Sequence, residues 1–133
     1  MVAQKMERVR VLLYTETDGE TEKIEGVGEY SLDGNNFKIE FKSDGAVFEL
    51  RYNKTLSLIR TGEISYSFDF EAGVPFNSLI KTPYGDIPVK ICADNVFTKI
   101  NNGYVGVYVS YSMYIAGEKS NHEISASATK IKG

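Results

Sequence analysis

The sequence predicts an all-β protein, an antiparallel up-and-down β-barrel of about nine or ten strands. Period-two alternation of apolar and polar residues runs nearly end to end through the 133-residue chain, and helical spacing is almost absent. Asp-Gly, Thr-Gly and Asn-Gly turn signals punctuate the alternation, as expected for strands spaced roughly eight to twelve residues apart. Successive hairpins also agree on one inward face, and consistency of that kind outweighs any single propensity.

The elements follow in order. In "IEGVGEYSLDGNNFKIEF" a two-residue Asp33-Gly34 turn of type I′ sets Tyr30 opposite Phe37, Gly28 opposite Ile39 and Gly26 opposite Phe41. Glu25 and Glu29 then share the outer face with Lys38 and Lys42, and glycines opposite rings suit a bend in a closing sheet. An Asp44-Gly45 turn continues the same face, pairing Phe41 with Phe48, Ile39 with Leu50 and Phe37 with Tyr52.

The next stretch, "YNKTLSLIRTGEISYSFDF", admits two registers. Odd-length loops put Leu56, Leu58 and Arg60 inside with Ile64, Tyr66 and Phe68, whereas even-length loops put Thr55, Ser57 and Ile59 there. The two leucines favour the first, which turns Arg60 inward near a barrel end. The segment "EAGVPFNSLIKTPYGDIPVKICAD" holds all three prolines, Pro75, Pro83 and Pro88, residues that belong at edges, strand starts or bulges. It reads as strands near 76–82 and 86–93 with an irregular turn around Asn77 to Leu79, and with Ile87, Val89 and Ile91 facing inward.

The closing hairpin, "GYVGVYVSYSMYIAGEKSNHEISASATKI", alternates without a break. A Gly117-Glu118 turn of type II′ pairs Tyr111 with Ile124, Val109 with Ala126 and Val107 with Ala128. Val105, Val107, Val109, Tyr111, Met113 and Ile115 are then inside. Tyr104, Tyr108 and Tyr114 stand outside with Asn121, Ser125 and Ser127.

Composition narrows the function. A single domain over 1–133, with its core at about 9–131, is the expectation for this length, and such a chain buries roughly two-thirds of its unfolded surface. The net charge of −3 and the absence of a basic cluster argue against a nucleic-acid partner. One cysteine, Cys92, rules out an internal disulfide and suits a reducing, cytoplasmic setting. No apolar run resembles a leader or a membrane span.

No motif of catalysis stands out, and no catalytic residue is assigned. The one histidine, His122, falls on the inward face near the Gly117 end, where neighbours satisfy it. A zinc site needs several His or Cys ligands, so neither a metal nor another cofactor is expected. Gly26 and Gly28 spell G-x-G inside a strand, without the helix that a dinucleotide motif requires.

Arg60-Thr61-Gly62, the aromatic-rich strand after it, Thr82-Pro83-Tyr84-Gly85 and the long closing hairpin together resemble the YwiB-like family. These are small uncharacterised bacterial proteins of a domain of unknown function. The resemblance runs from about Val9 to Ile131 and rests on the order and spacing of short motifs. It implies a calycin-like, lipocalin-like barrel and a cytoplasmic setting, and it supplies no reaction.

Two non-enzymatic functions remain. The first is binding of a small anionic or apolar molecule in the barrel interior by Tyr30, Arg60, Tyr66, Phe68, Tyr111 and Met113. Arg60 would hold an anionic head group, unless the rings simply fill the space that the small residues leave. The second is a protein-interaction or homodimeric module using Tyr104, Tyr108 and Tyr114, because tyrosine among serines with little charge is common at interfaces.

Overall fold

The computed structural model describes residues 6–101 and 103–131. Ten strands follow one another: β1 (Met6–Thr17), β2 (Glu20–Asp33), β3 (Asn36–Ser43), β4 (Ala46–Asn53), β5 (Thr55–Thr61), β6 (Tyr66–Phe70), β7 (Pro75–Thr82), β8 (Gly85–Asn101), β9 (Tyr104–Ile115) and β10 (Glu118–Lys130). They form one antiparallel sheet in the order β6-β5-β4-β3-β2-β1-β10-β9-β8-β7. Every consecutive pair but one is a full ladder, and β1 with β10 joins the ends of the chain. The result is an up-and-down barrel whose incomplete ladder lies between β6 and β7. Among the described residues no helix is long and apolar enough to cross a membrane.

Turn chemistry sets the hairpins. Asp18-Gly19, Asp44-Gly45 and Ala116-Gly117 each have positive φ at both central residues, the type I′ geometry that matches the twist of the strands it joins. The β3–β4 register is the expected one, with Phe41 opposite Phe48 and Ile39 opposite Leu50. Two other hairpins differ from expectation by two residues. Tyr30 pairs with Ile39 and Gly28 with Phe41, because Gly34 takes the first turn position with φ of 65°. Tyr111 pairs with His122 and Val109 with Ile124, because the closing turn is Ala116-Gly117. A shift of two keeps every side chain on its face, so the inward set survives both corrections.

The ambiguous hairpins resolve through odd-length loops. A lone Lys54, with φ of 67°, joins β4 to β5, and Leu58 pairs with Phe68. Leu56 and Leu58 are buried, and Arg60, opposite Tyr66, turns inward half-buried. The expected irregularity around Asn77 to Leu79 is absent, since β7 pairs residue by residue with β8. Three residues assigned to the inside lie at strand ends and are open to solvent: Ile64, Ile87 and Ile115, at 41%, 38% and 36% exposure.

The interior is filled by rings. Phe37 stacks on Tyr52, Phe41 on Phe48, Tyr66 on Phe68, and Phe70 tilts against Tyr111, with centroids 4.2–5.8 Å apart. Val9, Val11, Leu13, Ile91, Val105 and Val109 close the opposite wall. Gly28 allows this curvature: a Cβ there would sit 1.9 Å from the Glu40 carbonyl oxygen and 2.7 Å from the Phe41 Cβ. β3 crosses so close to β2 that only a hydrogen fits. Gly28→Ala should therefore destabilise the fold by about 3 kcal/mol, the range of an overpacked core site, read from denaturant midpoints.

Candidate functional site

The site begins with the one ladder that fails to close. At one end of the seam, Ser65 and Lys81 exchange both backbone hydrogen bonds, at 3.0 and 2.8 Å. At the other end a turn bonds the Val74 N–H to the Glu71 carbonyl at 3.0 Å, one residue out of step with the Ser65–Lys81 pair. The next pair that the Ser65–Lys81 register calls for, Ser67 with Leu79, is not formed. The Ser78 hydroxyl donates to the Ser67 carbonyl at 2.7 Å instead. The two strands part between these closures, as a register mismatch requires.

A groove of about 890 Å³ opens there, between β5, β6, β7, β8 and the end of β9. Ile59, Leu79, Pro88 and the rings of Tyr66 and Tyr114 make its apolar body. Its charges are Arg60, Lys81 and Lys90, and among the described residues no carboxylate lines it. The Arg60 guanidinium lies 5.6 Å from the Phe48 ring centroid and donates to the Ile64 carbonyl. The Lys90 ammonium lies 5.7 Å from the Tyr114 ring. Burial raises the Tyr66 phenol above its ordinary pKa, the Arg60 charge opposes that rise, and the Glu22 carboxylate adds to it.

Of the residues expected to bind a ligand inside, Arg60 and Tyr66 line this groove. Tyr30, Phe68, Tyr111 and Met113 are buried among the packed side chains of the core. The stripe of outer tyrosines divides. Tyr104 and Tyr108 border a smaller pit over Gly106, and Tyr114 stands at the groove. Lys81, Lys90, Leu79 and Pro88 were missed from sequence. The concentration of prolines in Pro75–Pro88 was the signal that this part of the sheet is an edge.

His122 occupies a second polar corner, half-buried at the end of the barrel. Its ring stacks on Tyr111, 5.0 Å between centroids, while Nδ1 bonds Thr17 Oγ1 at 3.0 Å and Nε2 bonds Ser120 Oγ at 2.7 Å. Nearby, Glu16 and Glu123 sit opposite each other across β1 and β10, and the Tyr108 hydroxyl donates to Glu123 at 2.6 Å. Their mutual hydrogen bond raises the Glu16 pKa and lowers that of Glu123. Among the described residues no group of three or more His, Cys, Asp or Glu is arranged to hold a metal ion. Cys92, on the outward side of β8, is half-buried and free.

Burial holds the His122 pKa below its ordinary 6.5, against the pull of Asp18. The unfolded chain therefore takes up a proton first as the pH falls. The stability contributed by neutral His122 is complete above pH 6.5 and is lost as pH falls from there toward the folded-state pKa. Thermal melts should show a decline in Tm as the pH falls below about 6.5 that is smaller in His122→Gln.

A search of curated proteins finds no match. Among solved structures, the crystal structure of the ywiB protein from Bacillus subtilis superposes with a TM-score of 0.75 at 15% identity, covering 97% of this chain and 94% of that one. At that identity the likeness speaks for the barrel alone. The model of a family described as a domain of unknown function, DUF1934, matches residues 9–125, from the first inward valine to the outward serine of the closing strand. With the greater part of its length matched and its barrel shared, the chain belongs to the DUF1934 family.

Proposed function

We propose that the barrel is a non-catalytic carrier or sensor that binds a small anion with an apolar body in the seam groove. The observation that carries this reading is the charge of the groove: Arg60, Lys81 and Lys90 without a carboxylate, in a chain of net charge −3. An apolar wall with a few convergent polar groups is the usual form of a small-molecule site. The three cations select for a carboxylate, sulfonate or phosphate, and the bidentate fork of Arg60 suits each of them. Arg60 and Tyr66 are also inward residues, so the anionic end of a ligand would reach toward the barrel interior while its apolar part lies on Leu79, Pro88 and Tyr114. A water-soluble, reducing setting is consistent with the single thiol.

Anilinonaphthalene sulfonate tests this directly, because it joins an aryl body to a sulfonate. The folded protein should bind it more tightly than the uncharged phenylnaphthylamine by about tenfold or more, the worth of one charge-assisted contact. Lys90→Glu and Arg60→Ala should each weaken the sulfonate by a similar factor and leave the uncharged probe unaffected. Equal affinities for the two probes, or variants that bind the sulfonate as the parent does, would sink the proposal.

A further inference from the structure

The outer face of β1 carries its charges in an ordered way. Its outward residues, in sequence, are Arg8, Arg10, Leu12 and Tyr14, then Glu16, with Asp18 in the turn beyond. The stripe therefore runs from basic through apolar to acidic. None of its four charged groups forms an ion pair with another described residue. Glu16 instead faces Glu123, a like-charge cross-strand pair that is unfavourable in isolation.

The neighbouring strands continue its cross-strand rows in register. Tyr14, Ser125, Tyr108 and Phe97 form one row across β1, β10, β9 and β8, and Leu12, Ser127, Gly106 and Lys99 form the next. The first row carries three rings and the second carries none. Between them lies a pit of about 380 Å³ bordered by Gly106, over which the Tyr104 ring leans, and beside it Phe97 stands 61% exposed. An exposed phenylalanine beside a hollow among tyrosines and serines is the composition of an interface centre.

We infer that this face pairs with the same face of a second copy of the chain, about a two-fold axis that crosses the strands midway between the two rows. That operation sets Tyr108 against Gly106 and the Tyr104 ring that leans over it, and Tyr14 against Leu12, of the second copy. Phe97 meets Lys99 of the second copy, a cation–π pairing. It also sets Glu16 against Arg10 and Asp18 against Arg8, and on β2 it brings the Lys23–Glu25 ion pair, 3.7 Å within each copy, over its own counterpart. A face that satisfies itself in this way is isologous, the self-complementary kind that closed dimers use.

The size is adequate. Five strands at about 4.8 Å spacing and the eleven positions from Arg8 to Asp18 at about 3.3 Å span roughly 24 by 36 Å. That projects on the order of 850 Å² per copy, against about 800 Å² in an ordinary specific interface. The match is closest at the axis, since twisted sheets cross at about 30°, and the long Arg and Glu side chains take up the divergence at the rim. The seam groove plays no part in this pairing, and its ligand could be absent without affecting it.

Sedimentation velocity on the whole chain tests the pairing. The parent should run as a dimer at tens of micromolar, tighter at low salt than at high, while Phe97→Asp should be monomeric with an unchanged Tm. Arg10→Glu should weaken the dimer by about tenfold, through repulsion from Glu16 of the second copy. The double variant Arg10→Glu with Glu16→Arg should recover most of that loss, which a nonspecific surface effect would not allow. A parent that stays monomeric at about 100 µM, a dimer indifferent to Phe97→Asp, or a charge swap without recovery overturns the inference. A monomer that takes a different macromolecule on this face overturns it equally.

Discussion

Closure of the hydrogen-bonded ring is the constraint on which the rest of this structure depends. A sheet edge exposes unpaired backbone groups, and a barrel removes the edge by pairing its first strand with its last. Here β1 and β10 accomplish that over nine residue pairs, from Val9–Lys130 to Thr17–His122. The remaining mismatch is pushed to one place, the β6–β7 seam. There Pro75 withholds an N–H, the two closures disagree by a residue, and a serine hydroxyl takes a carbonyl that a ladder would have used. The opening is thus a product of register, and the cations around it give it chemistry.

The filled interior sharpens the importance of that opening. Stacked rings from β3, β4, β6 and β9 occupy the space that a wide barrel could leave empty, and Gly28 lets the wall curve tightly onto them. Polar function is thereby displaced to the ends and the seam. Arg60 and Tyr66 connect the packed core to the groove, and His122 terminates the core at another end, in a corner of hydroxyls. Each is half-buried, and burial raises the Tyr66 pKa and lowers that of His122.

β8 and β9 serve two surfaces at once. Near the seam they present Lys90 and Tyr114, and farther along the same outward side they present Phe97, Lys99, Tyr108 and Gly106. Tyrosines spaced at even intervals along one strand therefore fall into different environments, one beside a cationic groove and two beside a pit. The bulge between Ala93 and Asn95 separates the two regions and resets which β8 residues face outward, which is how Phe97 comes to stand beside Tyr108.

The alternation of the sequence determined the barrel class, the strand faces and most of the core. A period of two leaves each side chain one of only two directions, so Phe41 against Phe48 could be read from a turn and a pattern. Even the two misplaced hairpin registers left the inward set intact, because both errors were of even length. The prolines between Pro75 and Pro88 marked this segment for an edge, a strand start or a bulge, and Pro75 opens β7 at the seam. What the tertiary structure alone decided is which distant strands meet: that Lys81 and Lys90 would join Arg60 around one groove, and that Tyr14 of β1 would share a row with Phe97 of β8. Such neighbours follow from shear and closure, which add up over all ten strands, and no local pattern carries that total.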